Sequence, residues 1–199
     1  MNIFILLTLS ILTQLENNIE YDIAFYNRLK AKADSAYIYC KEHQYNPDIF
    51  LLFDAKIHSG KKRFFIYDYK HKTILKSSLC SHGCGDSLWG SDETKTCPVF
   101  SNISESHCSS LGKYKVGKRG YSNWGINVNY RLHGLEKTNS NANARDVVLH
   151  SWYDIPEEEC FPEGCPEGWG CPAVSNEFMT ALDSILTKNN KPILLWIYH

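Results

Sequence analysis

From Pro47 onward the apolar residues of this chain come in short runs separated by polar turns, a spacing that suits β-strands. Residues 49–57 read as a strand, His58-Ser59-Gly60-Lys61 as a turn, and residues 63–67 as a second strand. After a polar turn over 68–72, residues 73–79 read as a third. Consecutive strands with such short connections predict an antiparallel meander that founds a sheet. Further strands are predicted over 113–116, over 125–132 (where Ile126, Val128 and Tyr130 alternate), over 146–150 and over the apolar run 192–198. One helix is predicted after Ser175, whose hydroxyl suits an N-cap, with Phe178, Leu182, Ile185 and Leu186 as its apolar stripe.

Before Pro47 the period is different. Ile19, Ile23, Tyr26, Leu29, Ala33, Ala36, Tyr37 and Cys40 recur at three- and four-residue steps among charged residues, which predicts one amphipathic helix ended by Asn46-Pro47. Residues 3–12 are an apolar run too short to span a bilayer and similar to the core of a secretory signal. No Lys or Arg precedes it and no small-x-small site follows, so a buried N-terminal segment is the other reading. Export is favoured because eight cysteines in a chain of 199 residues suit an oxidising compartment. The expected organisation is a signal or anchor segment over 1–15, a helical extension over 16–46 and a domain over 47–199. The expected fold class is α+β, mainly β, with an N-terminal helical extension. A net charge of -1 without long charged blocks argues against nucleic acid as a partner.

Between Cys80 and Gly112 the chain turns to Gly, Ser, Asn, His and Cys, and a loop of that length within a compact domain is usually functional. It holds Cys80, Cys84, Cys97, Cys108, His82 and His107. Zinc-type spacings are missing from it, so no metal site is assigned, and disulfides are the favoured use of these cysteines. Cys160 and Cys165 are close enough in sequence to be bridged. Reserving Cys171 leaves seven cysteines, an odd number, so at least one more is free or paired with another molecule.

Chemistry is concentrated where residues 147–151, an apolar run ending in His150-Ser151, are followed by Glu167-Gly168-Trp169-Gly170-Cys171-Pro172. A cysteine behind two glycines, downstream of a strand-end histidine, reads as a thiol nucleophile with its base. It reads equally as a structural or disulfide-bonded cysteine, and spacing alone does not choose. His133-Gly134 offers a rival base; His150 is preferred because it lies closer to the cysteine loop at a strand end. His82, Asn102 and Ser109 either line a groove or satisfy the backbone of their own loop.

Phe53-Asp54, residues 63–68, Ser81-His82-Gly83, Phe100-Ser101-Asn102, Ser109-Ser110-Leu111-Gly112, Gly134-Leu135, residues 145–150 and Trp169-Gly170-Cys171-Pro172-Ala173 occur in an order that resembles the murein L,D-transpeptidase catalytic domain of the YkuD type. They are most similar to its divergent second branch. The likeness covers most of residues 49–198. It implies a YkuD-like β-rich catalytic domain acting on peptidoglycan stem peptides in the periplasm or cell envelope, without a cofactor. The implied nucleophile is Cys171, the base His150, and Ser151 the residue whose backbone orients the ring. The implied oxyanion hole is the N–H groups of Trp169, Gly170 and Cys171. His82, Asn102, Ser109 and His133 are, from the residues themselves, the candidate substrate contacts. The wider family reads Ser/Thr-His-Gly-Cys where this chain has Gly168-Trp169-Gly170-Cys171. An L,D-carboxypeptidase, a non-catalytic wall-binding protein and a zinc protein of the Cys80–Cys108 loop are the alternatives.

Overall fold

The computed structural model describes residues 23–199, so the segment expected over 1–15 and the start of the extension lie outside the described residues. The chain divides into two compact units, Met1–Ser35 and Ala36–His199. Helix α1 covers residues 23–42. In the first unit, Ser35 Oγ donates to the Ala31 carbonyl one turn back, which satisfies a hydroxyl inside a helix. The helix stops where the sequence predicts. Asn46 Oδ1 accepts from the N–H groups of Asp48 and Ile49, an Asx turn that carries the chain past Pro47 into the first strand.

The second unit contains β1 (Ile49–Asp54), β2 (Phe64–Asp68), β3 (Thr73–Ser78), β4 (Gly112–Tyr121), β5 (Val128–Gly134), β6 (Val148–Ser151), β7 (Ala173–Val174), α2 (Asn176–Leu186) and β8 (Ile193–Tyr198). One eight-stranded sheet joins them in the order β3-β2-β1-β8-β4-β5-β6-β7. The predicted meander of β1 to β3 is present, antiparallel throughout. The last strand enters between β1 and β4, parallel to the first and antiparallel to the second. β1 and β8 are buried along nearly their whole length, which is why they read as unbroken apolar runs rather than alternating ones.

Two strands end three or more residues from where expected. β1 stops at Asp54, where Ala55 N donates to the Tyr198 carbonyl and Ile57 N turns back to Asp54. β4 continues to Tyr121 through a register shift between Val116 and Arg119, along Gly117-Lys118-Arg119-Gly120, which carries no apolar signal. α2 begins at the expected cap, Ser175 Oγ accepting from Phe178 N. Its Phe178, Met179 and Leu182 are buried in the core with Leu51, Phe64, Ile66, Leu149 and Leu195. Each such side chain is worth about 1.5–3 kcal/mol of burial. The long loop after β3 is pinned by bridges Cys80↔Val174, Gly83↔Gly168 and Phe100↔Ser109. Two of these three tie it to the cysteine segment. Among the described residues no helix is long and apolar enough to cross a membrane.

Candidate active site

β6 and β7 bring the thiol and the imidazole together. Strand alternation buries Leu149 and Ser151 on one face of β6 and leaves Val148 and His150 half-buried on the other. β7 runs parallel beside it with His150 opposite Ala173, and His150 N donates to the Pro172 carbonyl at 3.4 Å. Cys171, two residues before Ala173, is thereby set against β6, where its Sγ accepts the Val148 N–H at 3.4 Å. Cys171 and His150 line one cavity of about 490 Å³. The His150 ring is held by Nδ1, 3.0 Å from the Ser151 carbonyl oxygen. A carbonyl only accepts, so Nδ1 carries the proton and Nε2 the free lone pair.

Burial raises the Cys171 thiol above its ordinary range; the Val148 N–H and Arg145 oppose this, and Asp146 adds to it. Burial also lowers the His150 imidazole, against the pull of the Ser151 carbonyl. The resting pair is therefore a neutral thiol and a neutral imidazole, with His150 competent to accept a proton.

The cysteine loop is held from behind. Ser109 Oγ accepts from Gly83 N and donates to the Gly170 carbonyl, each at 3.1 Å. Arg145 donates to the carbonyls of Ser101 and Cys108 and to Ser110 Oγ. Gly170 has φ +99°, and a Cβ there would lie 2.3 Å from the Cys108 carbonyl oxygen. The N–H groups of Trp169, Gly170 and Cys171 meet no protein acceptor among the described residues. Three successive backbone donors thus stand without a protein acceptor in the segment that ends at the thiol.

Beneath the loop runs a buried polar chain. Arg63, fully buried, donates to the carbonyls of Ile57 and Cys80 and to His82 Nδ1 at 2.7 Å. Because Nδ1 accepts, His82 is protonated at Nε2, which donates to Thr94 Oγ1 at 2.7 Å. Thr94 donates both its hydroxyl and its backbone N–H to Glu167 Oε1. Burial and the nearby Arg63 guanidinium push the His82 ring down to about 2, so it stays neutral. The Arg63 guanidinium and the Glu167 carboxylate thus face each other through a neutral relay.

The structure separates the other expected contacts from the cavity. His82 has no exposed surface and belongs to this relay rather than to a groove. Ser109 is buried and spends its hydroxyl on the loop backbone. Asn102 brackets a turn instead, donating to the Lys137 carbonyl and accepting from the backbone and side-chain N–H groups of Asn141. His133 lies on β5 and lines a different pocket with Lys115, Lys118 and Lys191, so the rival base is not beside the thiol. The Trp169 ring is exposed at the cavity and stacks on His107, 5.1 Å between centroids.

The cysteines also depart from expectation. All eight are free thiols, so the disulfides expected in the long loop and between Cys160 and Cys165 are not formed. Five of the sulfurs point to nearby carbonyls: Cys165 to Ser59, Cys160 to Glu163, Cys108 to Ser106, Cys84 to Gly85 and Cys80 to Ser81. No three His, Cys, Asp or Glu side chains gather into a metal-holding group among the described residues. Three further features escaped the sequence reading: the Arg63–Glu167 relay, the Arg145 brace and an aromatic wall of Trp89, Trp124 and Trp152. Their members are far apart in the chain, and only the clustering of tryptophans near the loop segments hinted at the last.

A family model described as the L,D-transpeptidase catalytic domain matches residues 23–198, a stretch that takes in helix α1. No curated protein matches the chain. Among solved structures, an L,D-transpeptidase from Xylanimonas cellulosilytica is 12% identical with a TM-score of 0.44, over 75% of this chain and 60% of that one. Bdellovibrio bacteriovorus Bd1075 is 13% identical with a TM-score of 0.45, over 78% and 49%. The helical cell shape determining protein Pgp2 from Campylobacter jejuni is 12% identical with a TM-score of 0.44, over 76% and 47%. The chain thus spans about half to three-fifths of the length of these proteins. With nearly all of its described residues matched by the family model, the chain belongs to the L,D-transpeptidase catalytic domain family.

Proposed function

We propose that this domain transfers the acyl group of a peptidoglycan stem peptide through a thioester on Cys171, releasing the terminal D-alanine. The observation that carries this reading is that Cys171 and His150 line one cavity while the Ser151 carbonyl holds the imidazole with Nε2 free. Cys171 Sγ adds to the carbonyl of the third stem residue as His150 Nε2 takes the thiol proton. The carbonyl oxygen becomes an oxyanion received by the N–H groups of Trp169, Gly170 and Cys171. Each such donor is worth roughly 2.7–4 kcal/mol of barrier in comparable sites. Collapse breaks the amide bond, and the departing D-alanine nitrogen takes the proton from His150. An amine of a second stem then attacks the thioester and gives its proton to His150, which returns it to the sulfur. The products are a 3–3 cross-link and the free thiol. Water in place of the amine gives the carboxypeptidase outcome by the same steps. A substrate of this kind places the protein outside the cytoplasm, at the cell envelope.

The test is to incubate the chain with defined muropeptides and weigh the products. Loss of D-alanine with formation of a cross-linked dimer, abolished in Cys171→Ala and reduced at least about a hundredfold in His150→Ala, is the expected result. Undiminished product from the Cys171→Ala chain would overturn the reading.

A further inference from the structure

The cavity is walled by aromatic rings that the acyl-transfer steps leave unused. Four of the chain's five tryptophans line it: Trp89, Trp124, Trp152 and Trp169. Trp89 stacks on Trp152 with centroids 5.0 Å apart and lies 6.0 Å from Trp124. Tyr153 extends the wall outward, 6.2 Å from Trp124. Its outer rings are open to water: Trp89 is 48% exposed, Trp124 38% and Tyr153 64%. Contiguous exposed aromatic surface next to a reactive thiol marks a place where a ligand rests.

The chemistry of that ligand follows from what surrounds it. At these separations the rings touch one another, so they form a continuous wall rather than a cage open around a cation. No Asp, Glu, Lys or Arg side chain is among the residues lining the cavity. The stem enters the same cavity to reach Cys171, and its carboxylates and amines gain little from indole faces; a flat-faced, uncharged group suits the exposed rings. The uncharged part of the same substrate is its pair of N-acetylated sugars, whose pyranose rings offer C–H faces to an aromatic plane and hydroxyls to the water at its edge. The sugar is joined to the first stem residue and the thiol attacks at the third, a reach of about 10 Å for three extended residues.

We propose that the Trp124–Tyr153 end of this wall binds the glycan of the substrate, so that the sugar-bearing stem, not the free peptide, is the preferred acyl donor. The inference rests on the acyl-transfer reading for the identity of the substrate, and its test does not depend on turnover. The Cys171→Ala chain is titrated calorimetrically with a stem tetrapeptide, and separately with the same tetrapeptide on its N-acetylglucosaminyl–N-acetylmuramyl disaccharide. The disaccharide form is expected to bind about tenfold tighter, 1.4 kcal/mol. The ratio is expected to fall toward one when Tyr153→Ala or Trp124→Ala is added. Tyr153 is exposed enough that its loss leaves the fold intact, which circular dichroism checks. Equal affinity for the two ligands, or a ratio untouched by both substitutions in folded protein, overturns the proposal. A tenfold preference in the Cys171→Ala chain that Tyr153→Ala or Trp124→Ala removes, alongside a native chain that turns over neither donor, would count against acyl transfer and for the glycan site.

Discussion

At Cys171 the local influences on the thiol compete, and burial wins. The Val148 N–H and Arg145 favour the thiolate, yet the sulfur is held above its ordinary range while His150 is held below its own. The two groups do not form a standing ion pair; the Sγ contact is with Val148 N. Thiolate appears only when a base takes the proton, whether His150 during reaction or hydroxide in solution. Alkylation of Cys171 by iodoacetamide, followed by peptide mass mapping, should therefore climb with pH past about 8.5, the midpoint of a free thiol. A plateau near pH 6 would mean a preformed thiolate–imidazolium pair and a different mechanism.

The loop from Glu167 to Pro172 shows how two glycines of one motif carry different duties. Gly170 combines a left-handed φ of +99° with a Cβ position 2.3 Å from the Cys108 carbonyl oxygen. Gly170→Ala should cost at least about 1–3 kcal/mol through the backbone alone, and displace the three N–H donors, reducing turnover more than stability. At Gly168 the nearest atom to a Cβ is Ser81 Oγ at 3.6 Å, an ordinary contact. Gly168→Ser, which restores a hydroxyl found in the wider family, should shift the urea midpoint by no more than about 0.5 kcal/mol. Equal losses from the two substitutions would refute this division. The two glycines and the cysteine were legible in the sequence because Gly-Trp-Gly-Cys-Pro marks a tight turn leading to a thiol. Which glycine bears the strain was not, since that depends on Cys108, brought against the loop by the Gly83↔Gly168 bridge. The strands were legible wherever one or both faces are buried, as in β1, β2 and β8. The outer half of β4 was not, because exposed strand residues keep no apolar period. For His82 and Ser109 the sequence left groove and backbone roles open, because polarity in a loop does not say whether water or backbone receives it.

Across the molecule the relay from Arg63 through His82 and Thr94 to Glu167 joins the edge of β2, the long loop and the cysteine loop. Its last step spans 73 positions, a separation no local pattern reports. It makes folding of the site depend on protonation. His82 is neutral in the folded chain down to about pH 2, whereas in the unfolded chain it takes up a proton near pH 6.5. Between those values the unfolded state binds the extra proton, so stability rises with pH across the window and the contribution is complete above about 6.5. Glu167, raised by burial, works in the opposite direction around the carboxylate range. A His82→Gln chain isolates the histidine: an amide can accept from Arg63 and donate to Thr94 as the neutral ring does, but cannot titrate, while Glu167 is common to both proteins. Between pH 6.5 and 5 the native chain should lose about 1.5 kcal/mol more than His82→Gln, read from urea midpoints at each pH. Parallel curves for the two proteins would show that the ring gains a proton in the folded state, and the neutral relay beneath the cysteine loop would have to be abandoned.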